Sequence, residues 1–196
     1  MPRPSTCRVR SIMGLTCLAM LMAILVVSTS PAMAEHGKAE LNENGIHVPS
    51  WFHESSLDLG RDLKAATAAG KKLAVFWEQK GCSYCQRMHE VNLSDEKTYA
   101  YINKNFYVIQ LDMRGTRKVT DFDGTIMEEA DMSHAHGVNG TPNIEFIDDK
   151  GERSFLMPGF AELPLFLNVF EYVAEGGYRE ASLRDWLMAR AARQAG

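Results

Sequence analysis

The segment that most limits how this chain can fold is a short apolar run, Leu73-Ala74-Val75-Phe76-Trp77, followed by Gly81 and then by Cys82-Ser83-Tyr84-Cys85. Two thiols so close in sequence close only a tiny local loop, whereas the disulfides that matter most for stability constrain long stretches of the unfolded chain. The pair therefore reads as chemistry, carried from a buried strand into the start of a helix. Of the four cysteines, only these two lie outside the N-terminal leader, which holds Cys7 and Cys17.

Residues 1–34 have the physics of an export signal. Arg3, Arg8 and Arg10 form a cationic start, an apolar run covers 12–27, and Ala32-Met33-Ala34 offers the small residues a signal peptidase accepts. Cleavage is expected after Ala34. The run is shorter than the roughly 20 residues of a membrane-spanning helix, which favours a removed signal over an anchor. Gly14-Leu15-Thr16 before Cys17 suggests a lipoprotein site, but too little apolar sequence precedes it. The mature protein is thus expected in an exported, periplasmic compartment where disulfides persist. Loss of three arginines takes the formal charge from -4 to about -7, which argues against nucleic acid as a partner.

About 160 residues remain, enough for one domain with a single core. Residues 35–56 form an N-terminal lead-in, of which Glu35 to Pro49 reads as polar and flexible. A helix is expected over 57–69, stopped by Gly70, and a strand over 73–77. Cys82 opens a helix whose inward positions are Met88 and Val91. Ser94-Asp95-Glu96 caps another, with Tyr99, Ile102 and Phe106 on its apolar side. A strand at 107–111 follows, and Asp121-Phe122-Asp123-Gly124 turns a hairpin between 118–120 and 125–127. A short helix over 128–136, strands at 143–147 and 153–157, and a helix over 163–175 complete the domain. Ser182 caps a final amphipathic helix within a C-terminal extension, 178–196. This order implies an α/β fold with a mixed central sheet flanked by helices.

The strand, Cys-x-x-Cys and helix at 76–88, with Thr141-Pro142 just before the strand at 143–147, resembles the thioredoxin superfamily, roughly from Leu63 to Glu175 within a domain at 57–177. Trp77, Gly81 to Cys85, Met88-His89-Glu90-Val91 and Asn92-Leu93-Ser94-Asp95 are similar to the exported thioredoxins of bacterial sulfur-oxidation operons, the SoxW type. They also resemble the C-terminal domain of the membrane thiol reductase DsbD.

The resemblance implies a thioredoxin fold with an insertion, here 112–137, before a cis-proline strand. It implies a thiol–disulfide oxidoreductase with a redox-active Cys82–Cys85 pair and no cofactor. A helix start stabilises a thiolate, so Cys82 is the expected nucleophile and Cys85 the resolving thiol. Ser83 and Tyr84 would help set the potential, within a superfamily range of about -270 to -120 mV. Pro142 would be cis and would free the backbone of Thr141 for a client segment, although a proline merely opening an edge strand fits the sequence too. Trp77 is expected beside the cysteine helix, with part of its edge lining the substrate groove.

Many thioredoxins bury an aspartate on the strand before the motif. Here that strand is apolar and Glu78 is the nearest acid: either Glu78 or water would move the proton of the resolving thiol, or that transfer is less assisted, and Glu78 itself reads as a solvated loop acid. His89 reads as a solvent-facing helix residue, the alternative being that its charge influences Cys85, and the scattered methionines read as core filling. The implied activity is reduction of disulfides in exported proteins, with a membrane thiol reductase as electron donor and no stable membrane anchor. A protein disulfide oxidase or isomerase is the alternative within the class. From another class, a copper-binding chaperone would use the same cysteines, with His89, His134 or His136 completing the site; no metal is the leading expectation. The insertion is either ornament on the sheet edge or a recognition surface.

Overall fold

The computed structural model describes Met1 and residues 38–196, so the expected leader lies outside the described residues. No described helix is long and apolar enough to cross a membrane. The described residues open with two three-residue strands, β1 (Ala39–Leu41) and β2 (His47–Pro49), paired antiparallel. This corrects the flexible lead-in. Asn42 closes the turn by accepting from the N–H groups of Asn44 and Ile46, and Gln110 donates to His47 O.

Helix α1 (Leu59–Ala68) is capped by Asp58, which accepts from Arg61 N–H; past its end Gly70 takes φ +67. That left-handed backbone is what a helix exit asks of glycine. Strand β3 (Lys72–Glu78) leads through a loop to α2 (Ser83–Arg87), which runs on as a π turn, Met88–Asn92. Asp95 caps α3 (Glu96–Asn105), and β4 (Phe106–Asp112) follows. The expected insertion forms the hairpin β5 (Lys118–Thr120) and β6 (Ile126–Glu128) with helix α4 (Glu129–Ala135). Strands β7 (Asn143–Ile147) and β8 (Arg153–Pro158), then α5 (Leu165–Ala174) and α6 (Leu183–Ala195), end the chain.

The main sheet has the order β4-β3-β7-β8, with β3 and β4 parallel and the other pairs antiparallel. This is the mixed, helix-flanked sheet the sequence implied. Alternation along β3 divides the interior in two. Ala74 and Phe76 face a core built with Met88, Ile102, Phe106, Phe146, Phe166 and Phe170. Leu73, Val75 and Trp77 face the other core, with Leu59, Val119, Met132 and Val138. The aromatic rings of the first core meet edge-on at 5.0–5.6 Å between Phe106, Phe146 and Phe170, the geometry their quadrupoles favour.

The insertion therefore helps close the second core, through Val119 and Met132. Its hairpin is tied to the chain before α1 by Thr120 N–H to Leu57 O. The C-terminal helix also joins the interior, since Trp186 packs against Tyr172 with ring centroids 5.6 Å apart.

Candidate active site

Cys82 is the N-cap of α2, with extended backbone, and its Sγ accepts from Cys85 N–H at 3.0 Å. The two sulfurs are bonded at 2.04 Å. The pair is asymmetric. Cys82 is half-buried on the rim, whereas Cys85 is 1% exposed and belongs to the inward face of the helix. Ser83 and Tyr84 stand outward between them, Tyr84 at 60% exposure.

Thr141-Pro142 lies at the same end of the sheet as the cysteines. Because β7 runs antiparallel to β3 with Asn143 opposite Trp77, the chain enters β7 where β3 leaves for the cysteine loop. The Thr141–Pro142 bond is cis, as the resemblance implied. Pro142 O accepts from Gly159 N–H at 2.9 Å, and the next residue, Phe160, stacks on Tyr84 with centroids 6.1 Å apart. Arg87 covers the Phe160 ring and pairs with Glu162 at 2.7 Å, and Asn92 donates to Ala161 O. The loop after β8 thus links the cysteine helix to the proline. Sequence reading missed it; Gly159, at φ +72, was the available sign of a tight bend there. Thr141 Oγ1 and Asn143 Oδ1, on either side of Pro142, are buried without a protein partner.

Four expectations are overturned. Trp77 does not line a groove or pack beside the cysteine helix. It is wholly buried, and alternation puts it in the second core, across the sheet from Met88. Glu78 is not a solvated loop acid but the last residue of β3, at 0% exposure. His89 is not solvent-facing: it is 1% exposed, and its Nε2 lies 2.9 and 3.0 Å from the two Glu78 carboxylate oxygens. The wider π turn buries Asn92 and Leu93 and leaves Val91 39% exposed, which also corrects the inward assignment of Val91.

Glu78 continues the alternation of Ala74 and Phe76, so it faces the side of the sheet that carries α2. His89 follows Cys85 by four residues, one helical turn along the buried face. An acid–imidazole pair therefore sits within the layer that holds the buried sulfur. Nδ1 of His89 is buried without a partner. Of the other histidines weighed as ligands, His136 is held between Asp121 and Glu145, and His134 is exposed.

Residues 59–174 match the model of the thioredoxin-like domain family. The chain belongs to that family. Among solved structures, a thioredoxin-fold protein from Helicobacter pylori is 24% identical, with a TM-score of 0.52 over 61% of this chain and 81% of its own. A proposed disulphide-isomerase from Bacteroides thetaiotaomicron is 23% identical, with a TM-score of 0.52 over 72% and 98%. The oxidised C-terminal domain of Neisseria meningitidis DsbD is 18% identical, with a TM-score of 0.43 over 58% and 90%. At these identities the likeness is one of fold. No curated protein matches the sequence. As a member of the thioredoxin-like family with a paired Cys-x-x-Cys at a helix start, the protein is a thiol–disulfide oxidoreductase.

Proposed function

We propose that this oxidoreductase is exported and reduces disulfides in other exported proteins, with Cys82 as nucleophile and Cys85 as resolving thiol. The observation that carries the assignment is the asymmetry of the pair: only Cys82 reaches the rim, and it caps the helix. Unpaired N–H groups and the dipole at a helix start stabilise a thiolate there.

The thiolate of Cys82 attacks one sulfur of a client disulfide. The client S–S bond breaks, a mixed disulfide forms, and the released client thiolate takes up a proton. Cys85 then loses its proton and attacks Cys82 Sγ, closing the internal disulfide and releasing the second client thiol. Two electrons have passed to the client, and a membrane thiol reductase returns them. Glu78 with His89 is the buried acid–base pair on the Cys85 side of the sheet, and we assign it the proton that Cys85 gives up.

Tyr84, Phe160 and the Thr141 backbone form the client-facing rim in this reading, with the segment at Thr141 free to pair with an extended chain. The export assignment rests on the leader, 1–34. Equilibration of the Cys82–Cys85 couple with glutathione tests the direction of flow. A potential near about -270 mV supports a reductase, and one near about -120 mV supports an oxidase instead.

A further inference from the structure

Glu145, buried in the middle of β7, bonds to residues on the two segments that lead into the site. One carboxylate oxygen accepts from Trp77 Nε1 at 3.2 Å and lies 2.9 Å from His136 Nδ1; the other accepts from Arg153 Nε at 2.7 Å. Trp77 belongs to the strand that runs into the cysteine loop. His136 ends α4 and begins the short loop that reaches Thr141-Pro142. Its carbonyl is held by Arg153 Nη2 at 2.6 Å, and its Nε2 lies 3.2 Å from Asp121 Oδ2 in the hairpin.

With a carboxylate at each ring nitrogen, His136 can satisfy both partners only as the imidazolium, since the neutral ring has a single N–H. Burial opposes that charge, but hydrogen bonds and attraction from Glu145 and Asp121 outweigh it and raise the pKa. The groups facing the ring are Asp121 and Asp123 from the hairpin, Glu145 from β7, Arg153 from β8, and the Trp77 ring from β3, 6.1 Å away. A cleft of ≈ 320 Å³ lined by Asp121, His136, Glu145 and Arg153 opens beside it and gives solvent protons access.

We propose that His136, clamped between Glu145 and Asp121, is a positioning residue that fixes the Thr141–Pro142 loop relative to the cysteine loop, so that protein-client affinity depends on pH through this side chain. The inference rests on the exchange reaction proposed above. His136 takes no part in the thiol chemistry. It acts only by holding the start of the loop on which the client docks, and losing one proton frees one of its two anchors.

The full chain is assayed for insulin-disulfide reduction between about pH 6 and pH 9 as wild type and as His136→Gln, alongside reduction of its own disulfide by dithiothreitol, which needs no docking surface. For the wild type, KM for insulin rises with pH. In His136→Gln, KM at pH 6 is raised about fivefold and the pH trend is flattened, while the dithiothreitol rate stays within about twofold. If KM and its trend match the wild type, the inference is overturned. Should His136→Gln fail to fold, Asp121→Asn decides: a raised KM at pH 6 with a shallower trend supports the clamp, and wild-type values overturn it. Wild-type protein that exchanges with dithiothreitol but leaves insulin intact would instead overturn the functional reading and this inference with it.

Discussion

Nε2 of His89 lies 2.9 Å from Oε1 of Glu78, and both side chains are shut off from water. Two rings lie beside the imidazole: Phe52 at 5.9 Å and His47 at 6.1 Å, centroid to centroid. Removing one partner of such a pair leaves the other stranded. Glu78→Leu or His89→Phe alone is expected to lower stability by about 3–5 kcal/mol, while the double replacement costs much less than the two added together. Urea unfolding of the three variants checks this, and additive losses would argue against a coupled pair.

The opposite core carries a pH signature. His136 has its pKa raised above the ordinary 6.5, so its contribution is complete below that value and is lost as the pH rises through the folded pKa. Glu145 behaves in reverse. Burial works against its charge, His136 and Arg153 more than compensate, and its pKa falls below the ordinary 4.5. Its contribution is present above 4.5 and disappears as the pH drops through the lowered value. From these two groups stability is therefore greatest between 4.5 and 6.5 and declines on the alkaline side. Denaturation midpoints across pH should show that alkaline decline in the wild type and its loss in His136→Gln.

Gly177 marks where the C-terminal helix docks. A Cβ there would meet Tyr172 at 2.6 Å and Trp186 at 2.7 Å, both in the first core. Neither ring can swing away without opening that packing, so Gly177→Ala is expected to cost about 1–3 kcal/mol. Thermal unfolding provides the measure, together with a change in Trp186 fluorescence that marks the ring as displaced. An unchanged melting temperature would contradict the docking described.

Phe160 is the residue on the rim that joins Tyr84 to the proline loop. Phe160→Ala removes the stacking partner of Tyr84 and the surface under Arg87. A contact of this kind is worth roughly 0.5–1.5 kcal/mol, so KM for a protein client should rise several-fold with the dithiothreitol rate unaffected. Equal loss in both assays would place Phe160 in the chemistry rather than the docking surface.

What could be read in the sequence follows from how much of each signal is local. The strand expected at 143–147 is β7 to the residue, because apolar side chains and a preceding proline delimit it. Cys82, Asp95 and Ser182 cap helices as expected, since a cap is a property of one side chain and the N–H groups just ahead. The face taken by Trp77 was hidden by its own strand: a run buried on both sides has no polar alternation to orient it. Glu78 and His89 each carry a residue type that belongs in water when alone. Only the convergence of one sheet face with one helix face pairs them. Strands β1 and β2, of three residues each, are too short to show any period. His136 and Glu145 are likewise joined by packing, across the loop that carries the proline.

The most direct test of the account is capture of a client by the Cys85→Ser variant. With the resolving thiol gone, reduced Cys85→Ser should accumulate a mixed disulfide with a disulfide-bearing protein, mapped by mass spectrometry to Cys82, while Cys82→Ser gives none and loses insulin reduction. An adduct on neither variant, or insulin reduction that survives Cys82→Ser, would contradict it.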